Sequence, residues 1–121
     1  MSSWFGPSDK EVEKAVRDLE KKLEACWASG DVEGLVSCYA DDAIVSMTGF
    51  PMRRGKDSIR EAFQAALSEG PVTMTFETER IKIGGDYAYD RGTVKPFGAG
   101  YLTIFRKVGD NVEIVEDISV G

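Results

Sequence analysis

The side chains best suited to chemistry in this chain are carboxylates, arginines and tyrosines, because the sequence contains no histidine. Histidine is the usual general base near neutral pH and a common ligand of transition metals, so mechanisms that depend on it are excluded. The segment "YADDAIVSM" places Asp41 and Asp42 side by side before the apolar run Ala43–Met47. Adjacent aspartates in this setting are more typical of hydrogen-bond acceptors at a helix end and a strand entry than of a catalytic pair.

Alternation along the later strands predicts which polar side chains share a face. Tyr89 and Arg91 have the same parity, so both can point into one interior. Asp90, between them, is then expected on the opposite face. On the next predicted strand, alternation places a second set of side chains on one face: Tyr101, Thr103 and Phe105.

Asp117 lies on the last predicted strand and is the carboxylate we expect to work with Arg91. An arginine–carboxylate pair can orient a water molecule for acid–base chemistry, and Glu116 is the alternative partner. Asp117, Arg91 and Tyr89 are therefore the candidate catalytic residues. A structural ion pair or a contact between subunits is the competing interpretation of the same charges.

Periodicity and turn signals predict the elements that position these residues. A capping box at Ser8 and Glu11 begins a long helix that ends at Gly30. A short helix carrying Leu35 to Tyr39, a strand at 43–47 and a third helix at about 56–68 follow. The period then changes from 3.6 to 2, and short glycine-bearing connections predict antiparallel hairpins over four strands, 72–83, 87–95, 101–108 and 112–120. This order is typical of an α+β domain.

Composition predicts one globular domain over residues 1–121, with 1–7 as a short N-terminal arm. The net charge of −6 disfavours a phosphate backbone, and no apolar run approaches the ~18 residues of a membrane helix. We therefore expect neither nucleic acid nor a membrane as a partner, and a cytoplasmic location because no secretion signal is visible. Cys26 and Cys38 lack metal-site spacing, so we expect free buried thiols, no metal and no cofactor.

Four segments carry a family resemblance: "ASGDVEGLVSCYADDAIVSM", "RRGKDSIREAF", "GDYAYDRGTV" and "GYLTIFRKVGDNVEIVEDIS". In order and spacing they resemble the SnoaL-like branch of the NTF2-like superfamily, specifically the DUF4440 group, over about Val12 to Ser119. The resemblance implies a cone-shaped, cystatin-like α+β roll, with three N-terminal helices packed on a curved antiparallel sheet, and commonly a homodimer through the sheet. It leaves activity open, because the superfamily contains isomerases, cyclases, hydrolases and non-catalytic carriers.

Ketosteroid isomerase, which belongs to this superfamily, allows the resemblance to be tested residue by residue. The place of its proton-abstracting aspartate matches Met47 in this chain. The places of its oxyanion-hole tyrosine and protonated aspartate match Leu23 and Thr103. A thioether cannot take a proton from carbon, so the resemblance predicts that this isomerase mechanism is absent.

The interior of such a cone is still a candidate ligand pocket, with Phe50 and Met52 expected at its mouth. The expected lining residues are apolar or aromatic: Trp27, Tyr39, Met47, Phe50, Met52, Phe63, Phe76, Tyr89, Tyr101 and Phe105. A packed core is the alternative interpretation of most of them. We expect a non-catalytic homodimer that binds a small hydrophobic molecule. The alternative is a SnoaL-like enzyme doing acid–base chemistry, of isomerase, cyclase or epoxide-hydration type, on a small apolar substrate.

Overall fold

Three helices and six strands form the part of the chain described by this computed structural model, residues 8–120. The predicted arm at 1–7 lies outside that part. The helices are α1 (Asp9–Ser29), α2 (Val32–Val36) and α3 (Lys56–Ala66). The strands are β1 (Tyr39–Met47), β2 (Arg53–Arg54), β3 (Thr75–Gly84), β4 (Tyr87–Lys95), β5 (Ala99–Val108) and β6 (Asn111–Val120). Within residues 8–120, no helix is long and apolar enough to cross a membrane.

Helix α1 begins and ends where the sequence predicts. The Ser8 hydroxyl accepts from the Glu11 amide at 3.2 Å, and the Ser8 amide donates to the Glu11 carboxylate at 2.9 Å. These two hydrogen bonds satisfy the backbone N–H groups of Ser8 and Glu11, which have no partner within the helix. Gly30 closes the helix in the left-handed conformation, with φ +72°. The buried stripe of α1 is apolar except for one acid: Val12, Val16, Glu20, Leu23 and Cys26.

The six strands form one sheet in the order β2-β1-β6-β5-β4-β3. The predicted hairpins at Gly84–Asp86 and Gly109–Asn111 are confirmed, and every pair is antiparallel except β1 with β6. The expectation of a wholly antiparallel sheet is therefore wrong for that pair. The first and last strands are joined through the rest of the domain, so no tight turn imposes an antiparallel direction on them.

The region around Asp41 and Asp42 differs from the prediction. Helix α2 ends at Val36, and β1 already begins at Tyr39, so the aspartates belong to the strand and do not end a helix. They lie where the register with β6 shifts, and both are exposed. Each has one ion-pair contact at 3.7 Å, from Lys56 to Asp41 and from Arg106 to Asp42. Surface charges of this kind contribute little to stability.

The core lies between the helices and one face of the sheet. Its centre is formed by side chains with no measurable exposure, among them Leu35, Ile59, Phe105 and Ile114. Cys26 and Cys38 are free and buried, as predicted. β3 is irregular opposite Gly92, and a Cβ atom at Gly92 would overlap the Glu77 carbonyl oxygen.

Candidate functional site

A row of polar side chains crosses the face of the sheet that the helices cover. Asp90 on β4 lies opposite Thr103 on β5, and Thr103 lies opposite Asp117 on β6. Asp117 is in turn paired with Val45 on β1. Residues directly opposite one another project to the same side, so the two aspartates face the same interior, two strand spacings or about 10 Å apart.

Tyr89 and Arg91 project from the other face, so the prediction that they enter the cone is wrong. They lie opposite Ile104 and Leu102. Arg91 is exposed and donates to Glu79 at 3.2 Å. The inward positions of β4 are instead taken by small or polar residues, Ala88, Asp90, Gly92 and Val94. The proposed pairing of Arg91 with Asp117 is therefore excluded by the thickness of the sheet.

Asp117 is held by two hydroxyl donors inside the cone. Tyr39 donates to Oδ2 at 2.7 Å, and Thr103 donates to Oδ1 at 3.2 Å. Burial raises the pKa of Asp117, and the two hydrogen bonds oppose that rise. Burial and the neighbouring Asp117 raise the pKa of Tyr39 well above 10, so the phenol keeps its proton. Asp117 is thus a hydrogen-bond acceptor held in place by Tyr39 and Thr103.

A second acidic group lies deeper, between α1 and β4. Asp90 accepts from Thr78 at 3.2 Å and from Tyr101 at 3.1 Å, both at Oδ2. Glu20 of α1 faces it, and burial together with the adjacent Asp90 raises the pKa of Glu20 to about 10. Burial also raises the pKa of Tyr101. The side chains therefore make one connected polar network within the core.

Glu20 and Asp90 are the site residues that the sequence interpretation missed. Glu20 lies four residues after Val16 and three before Leu23, which is the spacing of the buried stripe of α1. Asp90 alternates with Ala88 and Gly92, a pattern of small residues that fits beneath a helix. Both signals are visible in the sequence, but neither acid belongs to a residue type that usually occupies a core.

Aromatic side chains fill much of the space beside these acids. Phe63 packs against both Trp27 and Tyr39, with ring centroids 5.4 Å apart in each pair. Phe76 packs edge-on against Tyr101 at 5.3 Å. These contacts are those of a packed interior.

Three of the expected pocket residues are exposed to solvent. Met47 has the parity of Asp117 but lies at the end of β1 and is 45% exposed, so it is not an interior wall residue. Phe50 and Met52, in the connection from β1 to β2, are 67% and 57% exposed. In the described residues, no cluster of three or more potential ligand side chains is arranged to hold a metal ion.

The family model of the SnoaL-like domain matches residues 20–115, and the chain belongs to this family. No curated protein matches the sequence.

Solved structures share the fold across most of the chain. An NTF-2 like protein of unknown function from Shewanella oneidensis MR-1 is 19% identical, with 90% of this chain and 98% of that chain covered and a TM-score of 0.77. A domain of unknown function with a cystatin-like fold from Nostoc punctiforme PCC 73102 is 14% identical, with 94% and 78% covered and a TM-score of 0.80. A ketosteroid isomerase-like protein from Erwinia carotovora atroseptica SCRI1043 is 20% identical, with 93% and 97% covered and a TM-score of 0.71. At these identities the likeness concerns the fold alone.

Proposed function

We propose that this SnoaL-like domain is a homodimer that binds a small, mostly apolar molecule in its cone and does not transform it. The observation that supports binding is the Asp117 carboxylate, oriented by Tyr39 and Thr103 beside the aromatic contacts of Tyr39 and Trp27 with Phe63. Binding sites for small molecules combine apolar walls with a few fixed polar groups in this way. The DUF4440 assignment and a cytoplasmic location stay predictions of the sequence.

We place the ligand beside the C-terminal ends of β1 and β6, here called the Met47 end of the cone. The contacts of Trp27 and Tyr39 with Phe63 occupy the neighbouring space. One row beyond Asp117 toward the Met47 end, Met47, Ser119 and Tyr101 are cross-strand neighbours. A carboxylate offers about four lone-pair positions, and two hydroxyl groups use two of them, so Asp117 can accept a further hydrogen bond from a ligand hydroxyl.

Titration calorimetry with naphthol and naphthalene tests this site. We expect naphthol to bind the wild-type protein more tightly than naphthalene, because only naphthol has a hydroxyl for Asp117. The Asp117→Asn substitution should weaken naphthol binding by about tenfold or more, the worth of one hydrogen bond to a charged group.

Glu116→Gln is the matched control for this experiment, because the neighbouring Glu116 pairs with Ile104 on the outer face of the sheet. Its naphthol affinity should equal that of the wild type. The absence of saturable binding, or the same affinity in Asp117→Asn as in the wild type, would contradict the proposed site.

The homodimer is proposed to form through the outer face of the sheet. Helices cover only the other face, and the outer face has a cavity of about 500 Å³ whose apolar lining includes Tyr87, Tyr89, Leu102 and Ile104. Charged residues on this face already pair within the chain, Arg91 with Glu79 and Arg106 with Glu113. A two-fold partner would cover the apolar surface between them.

Light scattering at micromolar concentration should give about twice the chain mass of 13.3 kDa. Leu102→Glu places a charge in the middle of the proposed interface and should shift the protein to the monomer mass. Val108→Glu is the control, because Val108 is already exposed at the end of β5 and should remain compatible with a dimer. A wild-type monomer at this concentration would refute the dimer.

Acid–base catalysis is the second candidate, and the raised pKa of Asp117 favours it, because a carboxylate shifted toward neutrality is a better general base. An epoxide-hydration mechanism that needs arginine beside Asp117 is disfavoured, since Arg91 is on the outer face. Conversion of a 5-ene-3-ketosteroid above the buffer rate would decide for the enzyme, if it is abolished in Asp117→Asn and kept in Glu116→Gln.

A further inference from the structure

Two carboxyl groups are buried together beneath helix α1. Glu20 is 6% exposed and Asp90 is 0% exposed. Oδ2 of Asp90 accepts from Thr78 and Tyr101, but Oδ1 has no hydrogen-bond donor from any hydroxyl, amide or cationic group of the described residues. Within residues 8–120, neither acid has a lysine or arginine at ion-pair distance. Two ionised carboxylates in this position would carry a large desolvation cost and would repel each other.

A single proton on one of the two groups lowers the desolvation cost and removes the repulsion between the carboxylates. Asp90 is the better place for the negative charge, because two hydroxyl groups donate to it. Glu20 receives no comparable donors, so the proton belongs on Glu20. A protonated Glu20 carries a hydroxyl that can supply the donor Oδ1 of Asp90 otherwise lacks, because the two carboxyl groups face each other in the core.

We propose that Glu20 and Asp90 form a binding site for one proton, which Glu20 holds and Asp90 accepts throughout the neutral pH range. The site connects α1 to β4, and through Thr78 and Tyr101 it also connects to β3 and β5. This proposal does not depend on the ligand proposed for Asp117, because the proton is held in the unliganded protein.

The other charges around Glu20 do not reverse this assignment. On α1 itself, Arg17 favours the ionised form of Glu20, whereas Glu24 disfavours it. Arg17 is half-exposed and is already bonded to Glu13 at 3.3 Å. From the sheet, Asp90 raises the pKa of Glu20, and the nearby Tyr101 stays neutral. Burial is the largest cause of the raised pKa of Glu20, which reaches about 10.

The pH dependence of stability follows from this proton. The unfolded chain releases it near the ordinary glutamate value of 4.5, whereas the folded protein keeps it to about pH 10. The folded state therefore binds more protons between these values, so stability falls as pH rises. From about pH 5.5 to pH 7, unfolded cysteine and tyrosine stay protonated. In this range Glu20 should account for about one proton taken up on folding, beyond any contribution from Asp117, whose pKa is also raised.

Infrared spectroscopy of protein labelled with carbon-13 at glutamate carboxyl groups tests the proposal directly. At pH 7, wild-type protein should show the carbonyl stretch of one protonated, labelled glutamic acid. Glu20→Gln should lack this band and keep a native circular dichroism spectrum, because the glutamine amide still donates to Asp90. In urea unfolding from about pH 5.5 to pH 7, this variant should take up about one proton fewer on folding.

The Asp90→Asn variant distinguishes the effect of the Asp90 charge on Glu20 from the effect of burial alone. Removing the negative charge of Asp90 should lower the pKa of Glu20, so the labelled band should disappear at a lower pH than in the wild type. A wild-type spectrum without a protonated glutamate band at pH 7 would overturn the proposal. So would a band that persists in Glu20→Gln, or one whose titration is unchanged in Asp90→Asn.

Discussion

Replacing Phe105 with alanine should lower the free energy of unfolding by about 3–5 kcal/mol, the usual cost of removing a buried aromatic ring. Phe105 is fully buried on β5, opposite Ala88 on one side and Ile114 on the other. Its neighbours cannot close the space, because Ala88 has a single methyl group. Urea denaturation followed by circular dichroism at constant pH gives the measurement.

Ile104→Ala is the matched control, because Ile104 is adjacent to Phe105 but projects from the outer face and is half-buried. It should destabilise the protein clearly less than Phe105→Ala does. Measured in the Leu102→Glu background, which is expected to remove the proposed dimer interface, an equal or larger effect at Ile104 would show that the helices cover the opposite face of the sheet from the one described.

Asp117→Ala should lower the free energy of unfolding by about 2–4 kcal/mol, because it leaves two inward-facing hydroxyl groups without an acceptor. Tyr39 and Thr103 both lose the carboxylate to which they donate. Adding Tyr39→Phe to Asp117→Ala should then cost little further, since the phenol no longer has a partner. The double-mutant cycle should give a coupling energy of about 0.5–3 kcal/mol between the two residues.

Asp41→Ala serves as the control for this second measurement, because the Asp41 side chain is exposed and has a single 3.7 Å contact with Lys56. It should leave the unfolding free energy nearly unchanged. Additive effects of Tyr39→Phe and Asp117→Ala would mean that the 2.7 Å hydrogen bond does not stabilise the fold.

Local signals in the sequence determined the elements of this domain. The capping box at Ser8, the left-handed Gly30 and the two hairpin turns are properties of a few adjacent residues, so they could be predicted without knowledge of the rest of the chain. The absence of histidine likewise restricts the chemistry whatever the fold. Asp117 was predicted as a candidate catalytic residue and partner of Arg91, whereas its contacts in the structure are with Tyr39 and Thr103.

Only the tertiary structure decided which face of each strand is buried. Alternation shows that Tyr89 and Arg91 share one face of β4, but it does not show that this face points outward. That choice depends on packing, because the buried Ala88 fits against Phe105 as the larger side chains of Tyr89 and Arg91 cannot. The pairing of β1 with β6 also depends on contacts between the two ends of the chain, which leave no local signal.

The proximity of Glu20 and Asp90 also depends on the tertiary structure. Each acid is an isolated exception in its own apolar pattern, one with helical and one with strand periodicity. Seventy residues separate them, and only the packing of α1 on the sheet brings the two carboxyl groups together. The sequence determines that each acid is buried, and the tertiary structure makes one the proton donor of the other, because a buried charge needs a hydrogen-bonded partner.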